Sequence, residues 1–279
     1  CKIDIISVLE AGALAHLDIH PSMHKDYFDF YKQNKIKNLE KTKFYIESKG
    51  FKVINTFHPE GFAAEEIFKQ TQKENYSLLI AGARNKKFFE KWLGSTSRKI
   101  VGKAILPVFI SRKPEKSEEI KHLSEKKDIL FAVDGNENSY YSAAKALEIL
   151  DIENATVEIL YVKQGMESLP IEITSDNEWL QRILVKQEEA AKEIIKHTLS
   201  IVEEKNINVN SKTILEGDPA AEIIKYVKKQ KKDLIVAGSH NRTGISSLLL
   251  GSVSKRILDN VDCSVIIIPK QKTTTKTLE

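Results

Sequence analysis

Between Asp233 and Pro269 the chain carries residues whose types and spacing could hold an anion. Leu234-Ile235-Val236-Ala237 is a short apolar run that ends at Gly238. A polar loop follows, Ser239-His240-Asn241-Arg242-Thr243-Gly244, and then Gly251-Ser252 opens a segment with apolar residues at Val253, Ile257, Leu258 and Val261. The run reads as a buried strand and the later spacing as one face of a helix. The first turn of a helix has unpaired N–H groups and a partial positive charge. Glycines let the backbone turn with positive φ and leave no Cβ between those N–H groups and a ligand. Ser252 can add a hydroxyl donor. This combination is suited to phosphate. A βα turn whose Gly and Ser only cap the helix would carry the same pair, so the pair alone does not decide.

The surrounding chain supplies elements to position such a site. Asp128 to Asp134 reads as a strand ending in a carboxylate, Tyr141 to Leu150 as a helix with Ser139 as its N-cap, and Thr156 to Val162 as the next strand. A long helix from Glu178 to Lys205 and a strand from Val209 to Leu215 follow. Glu216-Gly217-Asp218-Pro219 leads into a helix from Ala220 to Lys229, with Pro219 where a first helical turn tolerates proline. The strand before the glycine loop, the helix after it and a last strand from Val265 to Ile268 complete the unit. Strands alternating with helices predict a parallel sheet wound on both faces.

The first half repeats this order. Lys2 to Val8 aligns with Thr156 to Val162, Gly82 with Gly238, Gly94-Ser95 with Gly251-Ser252, and Leu106-Pro107-Val108 with Cys263-Ser264-Val265. A tandem duplication must be recognised before a fold is assigned. The expected division is a first domain over 1–113, a charged linker over 114–126, a second domain over 127–270 and a polar tail over 271–279. The first copy begins at its second strand. Its offset predicts that a further strand and helix precede Cys1, so that these residues are a piece of a longer chain. Its glycine loop, Asn85 to Gly94, is one residue shorter than that of the second copy and carries Phe88, Phe89 and Trp92, which suit packing better than base stacking.

Gly238 and Asn241, nine further residues, then Gly251-Ser252 resembles the nucleotide-binding signature of the universal stress protein family: Gly, two residues, Gly, nine residues, Gly, then Ser or Thr. The likeness extends to the flanking run Asp233 to His240 and to the closing Cys263 to Pro269. Asn241 stands at the second glycine; Asn is the side chain most tolerant of left-handed geometry. The resemblance implies two tandem doubly wound parallel-sheet domains of the adenine nucleotide alpha hydrolase-like type, with strand order 3-2-1-4-5 and the first copy lacking its first strand and helix. It implies a pocket for ATP or a related adenine nucleotide at the second copy, where strand order reverses. Asp134 would meet the ribose or adenosine part and the Val162 backbone the adenine edge. Gly238, His240, Asn241, Gly251, Ser252 and Ser254 would surround the phosphates. It also implies a pseudo-dimer of the two copies through their last strands, a tendency to homo-oligomerise, and a role in stress response or signalling. A nucleotide-independent protein acting through protein contacts and a slow ATP hydrolase are the alternatives.

Composition narrows the remaining classes. A net charge of +4 over 279 residues, with lysines and glutamates interspersed, is a solvated surface rather than a nucleic-acid footprint. Cys1 and Cys263 are the only cysteines, so no disulfide framework is implied and a reducing cytoplasm is the expected location. No apolar run is long enough for a membrane helix. His16, His20 and His24 recur at four-residue spacing, but Pro21 interrupts the helix that would bring them together, and solvated loop histidines are the plainer reading than metal ligands. The chain has no Gly-x-x-x-x-Gly-Lys-Ser/Thr loop and no Ser/His/Asp or Cys/His constellation, so no catalytic residue is named.

Overall fold

A strand buried on both faces is a near-continuous run of branched apolar residues. Leu234 to Ala237 and Val265 to Ile268 are such runs, and all of these residues are buried. In the computed structural model, which describes residues 1–10, 12, 23–83, 93–112, 127–150, 152, 155–165, 177–239 and 250–270, they are the middle of a seven-stranded sheet. The chain divides into two units, Cys1–Tyr76 and Ser77–Glu279.

The first unit holds β1 (Lys2–Ile6), α1 (His24–Ser48), β2 (Lys52–Phe57) and α2 (Ala63–Lys73). β1 and β2 form a two-stranded parallel sheet. α1 fully buries only Leu39, and its Phe30 and Phe44 stay exposed. A two-stranded sheet is too narrow to cover the apolar stripe of a helix this long.

The second unit holds β3 (Leu79–Gly82), α3 (Ser95–Lys103), β4 (Val108–Ser111), β5 (Lys127–Val133), α4 (Glu137–Ile149), β6 (Ala155–Lys163), α5 (Asn177–Glu203), β7 (Val209–Glu216), α6 (Pro219–Gln230), β8 (Leu234–Gly238), α7 (Ser252–Asn260) and β9 (Ser264–Ile268). Its sheet order is β3-β4-β9-β8-β5-β6-β7. Counting strands within the second repeat, β7-β6-β5-β8-β9 is the expected order 3-2-1-4-5. The first-repeat counterparts of the strands flanking β5 are β1 and β3, and these lie in separate sheets.

β4 and β9, the last strands of the two repeats, pair antiparallel, Phe109 opposite Ile266. This pairing draws β3, α3 and β4 into the sheet of the second repeat. The division of the fold therefore falls after Tyr76, inside the first repeat of the sequence. Side chains tie the same seam: Arg98 of α3 makes a bidentate pair with Asp259 of α7, and the Arg112 guanidinium donates to the Leu258 carbonyl.

One face of the sheet packs Ile129, Phe131, Val157, Ile159 and Val236 with Ala143, Ala146 and Leu147 of α4 and Ile195 of α5. α4 begins four residues earlier than the Tyr141 expected from sequence. Its N-cap is Asn136, whose side chain accepts from the Ser139 N–H, so Ser139 is a buried residue of the first turn and not the cap. α6 starts at Pro219 behind its N-cap Asp218.

Cys263, at the foot of β9, has its thiol pushed up to about 12, chiefly by burial. Cys1 is exposed. Because the thiolate is the nucleophile, a raised value slows reaction at Cys263 near neutral pH, and the reactivity returns when unfolding exposes it. An aromatic disulfide reagent at pH 8 should label Cys1 alone in the native chain and both thiols in denaturant. Equal native rates at the two would show that the base of β9 is open.

Candidate functional site

β5 and β8 are paired only as far as Phe131 opposite Val236, while β8 continues to Gly238. The two strands part at their carboxyl ends. On its other side β5 pairs with β6 as far as Val133 opposite Tyr161, and β6 runs on through Val162 and Lys163. The result is a crevice of about 540 Å³ at the point where strand order reverses. Asp134, Val162, Gly238, Gly251, Ser252 and Ser254 all line it. His240 and Asn241, also expected there, lie outside the described residues, as do Phe88, Phe89 and Trp92 of the first-repeat loop.

Each lining group has a definite origin. Asp134 follows β5 directly, and its carboxylate accepts from the Asn136 backbone N–H at 3.2 Å and its side-chain amide at 2.7 Å. The same Asn136 caps α4, so the carboxylate is fixed to the start of a helix. Burial, with the nearby Asp134 charge adding, pushes the Tyr140 phenol up. Lys163, beyond Val162, bridges Glu188 of α5 and Glu216 of β7 at 3.2 and 3.3 Å, and hydrogen bonds to these carboxylates push its ammonium up.

On the opposite wall, Gly251 is the N-cap of α7 and has no side chain to occupy the helix start. Its N–H donates to the Ser239 carbonyl at 2.7 Å, and the Ser239 N–H donates to Ile268 of β9 at 2.9 Å. The buried Ser254 hydroxyl donates to the Gly238 carbonyl at 2.6 Å, locking α7 to the end of β8. Ser97 repeats this bond to Gly82 at 3.1 Å in the first repeat.

The glycines act differently from expectation. Gly251 has φ −61°, an ordinary conformation for any residue, and Gly238 is not in the positive-φ set. At Gly238 the constraint is packing: a Cβ there would lie 3.1 Å from Ser142 Oγ of α4. In the second repeat the described glycines with positive φ are Gly135 (78°) and Gly217 (137°), which open the loops after β5 and β7. Gly135 as a conformational hinge, Asn136 as the anchor of Asp134, and Arg256 on the crevice wall were not singled out from sequence. The Gly135-Asn136 pair after an apolar run was a turn-and-cap signal that could have found the first two.

A crevice of this size is in the range that takes small organic ligands. Its walls combine apolar surface from Val133, Ala190 and Ile223 with an uncapped helix start and a placed carboxylate, a donor set that fits an adenine nucleotide. Among the described residues no cluster of side chains is arranged for a metal ion, and no helix is long and apolar enough to cross a membrane.

The family model described as the universal stress protein family matches residues 1–112 and 126–269. A universal stress protein of Methanocaldococcus jannaschii, MJ0531, is 32% identical over 146 residues, 52% of this chain and 84% of its own. Among solved structures, a universal stress protein from Archaeoglobus fulgidus superposes with a TM-score of 0.63 at 19% identity, covering 97% of this chain and 86% of its own. A functionally unknown protein, PA1789 of Pseudomonas aeruginosa, does so with 0.63 at 17% identity, covering 96% and 92%. These two likenesses show the fold.

The loop after β5 should be sensitive to single atoms. At Gly135 a Cβ would sit 2.5 Å from Ile194 Cγ1 on a backbone that side chains rarely adopt. Gly135→Ala should destabilise the chain by more than about 1 kcal/mol. Asn136→Ala should cost about 1 kcal/mol through the lost cap. Urea midpoints unchanged in both would show that Asp134 does not depend on this turn.

Proposed function

Since the chain belongs to the universal stress protein family, we propose that its second repeat binds ATP or a related adenine nucleotide in the crevice between β5 and β8, serving stress response or signalling rather than efficient turnover. The observation that carries this is the pairing of opposite features across one cavity: a carboxylate fixed to the start of α4 and the uncapped start of α7. In this reading Asp134 takes the ribose hydroxyls. The backbone of Val162, which lies beyond the end of the β5 pairing, takes the adenine edge. The N–H groups of the first turn of α7 and the Ser252 hydroxyl take phosphate oxygens. His240 and Asn241 would flank them from the loop. The absence of a P-loop or nucleophile constellation in the sequence favours binding over hydrolysis.

Gly251 provides the decisive variant. Its φ of −61° and ψ of 153° suit Asp, and Asp is itself a favourable N-cap. Gly251→Asp should therefore leave the ligand-free chain as stable as before, or slightly more so, while placing a negative charge at the phosphate position. With ATP at about 100 times its Kd the unmodified chain should gain about 2.7 kcal/mol. Gly251→Asp should lose most of the corresponding thermal shift, and Gly94→Asp should retain it. Ser252→Ala should weaken binding by about 1 kcal/mol. Equal shifts in the unmodified chain and Gly251→Asp would place any nucleotide elsewhere. No shift, with no nucleotide released on denaturing the purified protein, would favour the protein-contact alternative. Phosphate release above the Gly251→Asp background would favour slow hydrolysis.

A further inference from the structure

Arg256 and Asp218 both line the crevice, one from α7 and one from the start of α6. Arg256 Nη1 lies 2.8 and 2.9 Å from the two carboxylate oxygens of Asp218. Arg256 follows Ser252 by four residues, so the two side chains share one face of α7. Asp218 has a second task, accepting the Ala221 N–H at 2.8 Å as the N-cap of α6. Arg256 first, and then this N–H, hold its carboxyl below the usual range. Each side chain is half-exposed, at 50% and 52%. An ion pair so exposed contributes little and is readily exchanged.

A guanidinium presents a planar fork that matches phosphate oxygens as well as carboxylate. We propose that Asp218 is a built-in competitor for Arg256: a polyphosphate ligand takes the guanidinium from Asp218 with its outer phosphate, so the pair selects nucleotides by phosphate number. This rests on the nucleotide reading of the crevice. Asp218 loses its ion pair on exchange but keeps its place as the cap of α6. A ligand without phosphates leaves the pair intact.

The test is calorimetric titration of the full chain with adenosine, AMP and ATP, in the unmodified protein, Asp218→Asn, Arg256→Gln and the double variant. Asn retains the cap and removes the competing charge. Asp218→Asn should tighten ATP by up to about fivefold, and Arg256→Gln should weaken it by about tenfold or more. Adenosine should bind all four alike. In the double variant ATP should bind as in Arg256→Gln, because the competitor matters only while the arginine is present. The two single variants move in opposite directions, so a general loss of folding cannot imitate the result. An unchanged ATP-to-adenosine ratio across all four proteins, with ATP bound, overturns this inference and leaves the nucleotide reading standing. Failure of the unmodified chain and every variant to bind any of the three overturns both.

Discussion

The pairing of β5 between β6 and β8 is the constraint on which the second repeat depends. β5 contributes Ile129, Phe131 and Val133 to one face and Leu130 to the other, all buried. Its parallel neighbours β6 and β8 bring their carboxyl ends to the same edge as its own. Strand order reverses between β5 and β8, which lead into different helices, α4 and α7, so the strands separate there, and the crevice follows from the topology rather than from any one side chain. The first repeat supplies the contrast. Its strands flanking the equivalent position, β1 and β3, belong to different sheets, and β1 with β2 has little apolar surface to offer α1.

The edge opposite the crevice closes with polar groups. Asp233 accepts from the Asp128 N–H at 3.0 Å, and its own N–H donates to the Asp128 carbonyl at 3.0 Å, stitching the starts of β8 and β5. Buried Lys232 pairs at 2.7 Å with the partly buried Glu158, and the Tyr226 hydroxyl donates to the same carboxylate. Removing one member of such a pair costs several kcal/mol because the other is left buried and uncompensated, even where the intact pair adds little. These bonds hold the strand starts in register, and the register determines where the carboxyl ends part.

Apolar periodicity revealed the strands, the order of elements and the duplication, since burial on both faces of a parallel sheet leaves an unmistakable run such as Leu234 to Ala237. The glycine and serine spacing located the wall formed by α7. What could not be read locally was partnership across the fold. Gly238 looks like a turn residue in the sequence, but its smallness answers to Ser142, nearly a hundred positions earlier. Ser139 looks like a cap because the residue type is right, whereas Asn136 takes that role by also reaching back to Asp134. The split of the fold after Tyr76 is likewise a matter of partnership: β4 joins β9, a pairing between repeats, so the compact units do not coincide with the repeats of the sequence.

The charges around the crevice limit how it can discriminate between ligands. Lys163 is engaged by Glu188 and Glu216, Arg256 by Asp218, and Asp134 by Asn136. What the fold offers an anion directly is the start of α7: its dipole, worth about 0.3–1 kcal/mol at an exposed site and fading within one turn, its first-turn N–H groups and the Ser252 hydroxyl. Walls such as Val133 and Ile223 add apolar surface that a planar ring can cover. A fixed dipole cannot count the phosphates beyond it. A charge that can change partners adds such discrimination, and among the described lining residues Arg256 is placed for it: it is on the α7 face that bears Ser252, in an exposed pair that is cheap to break.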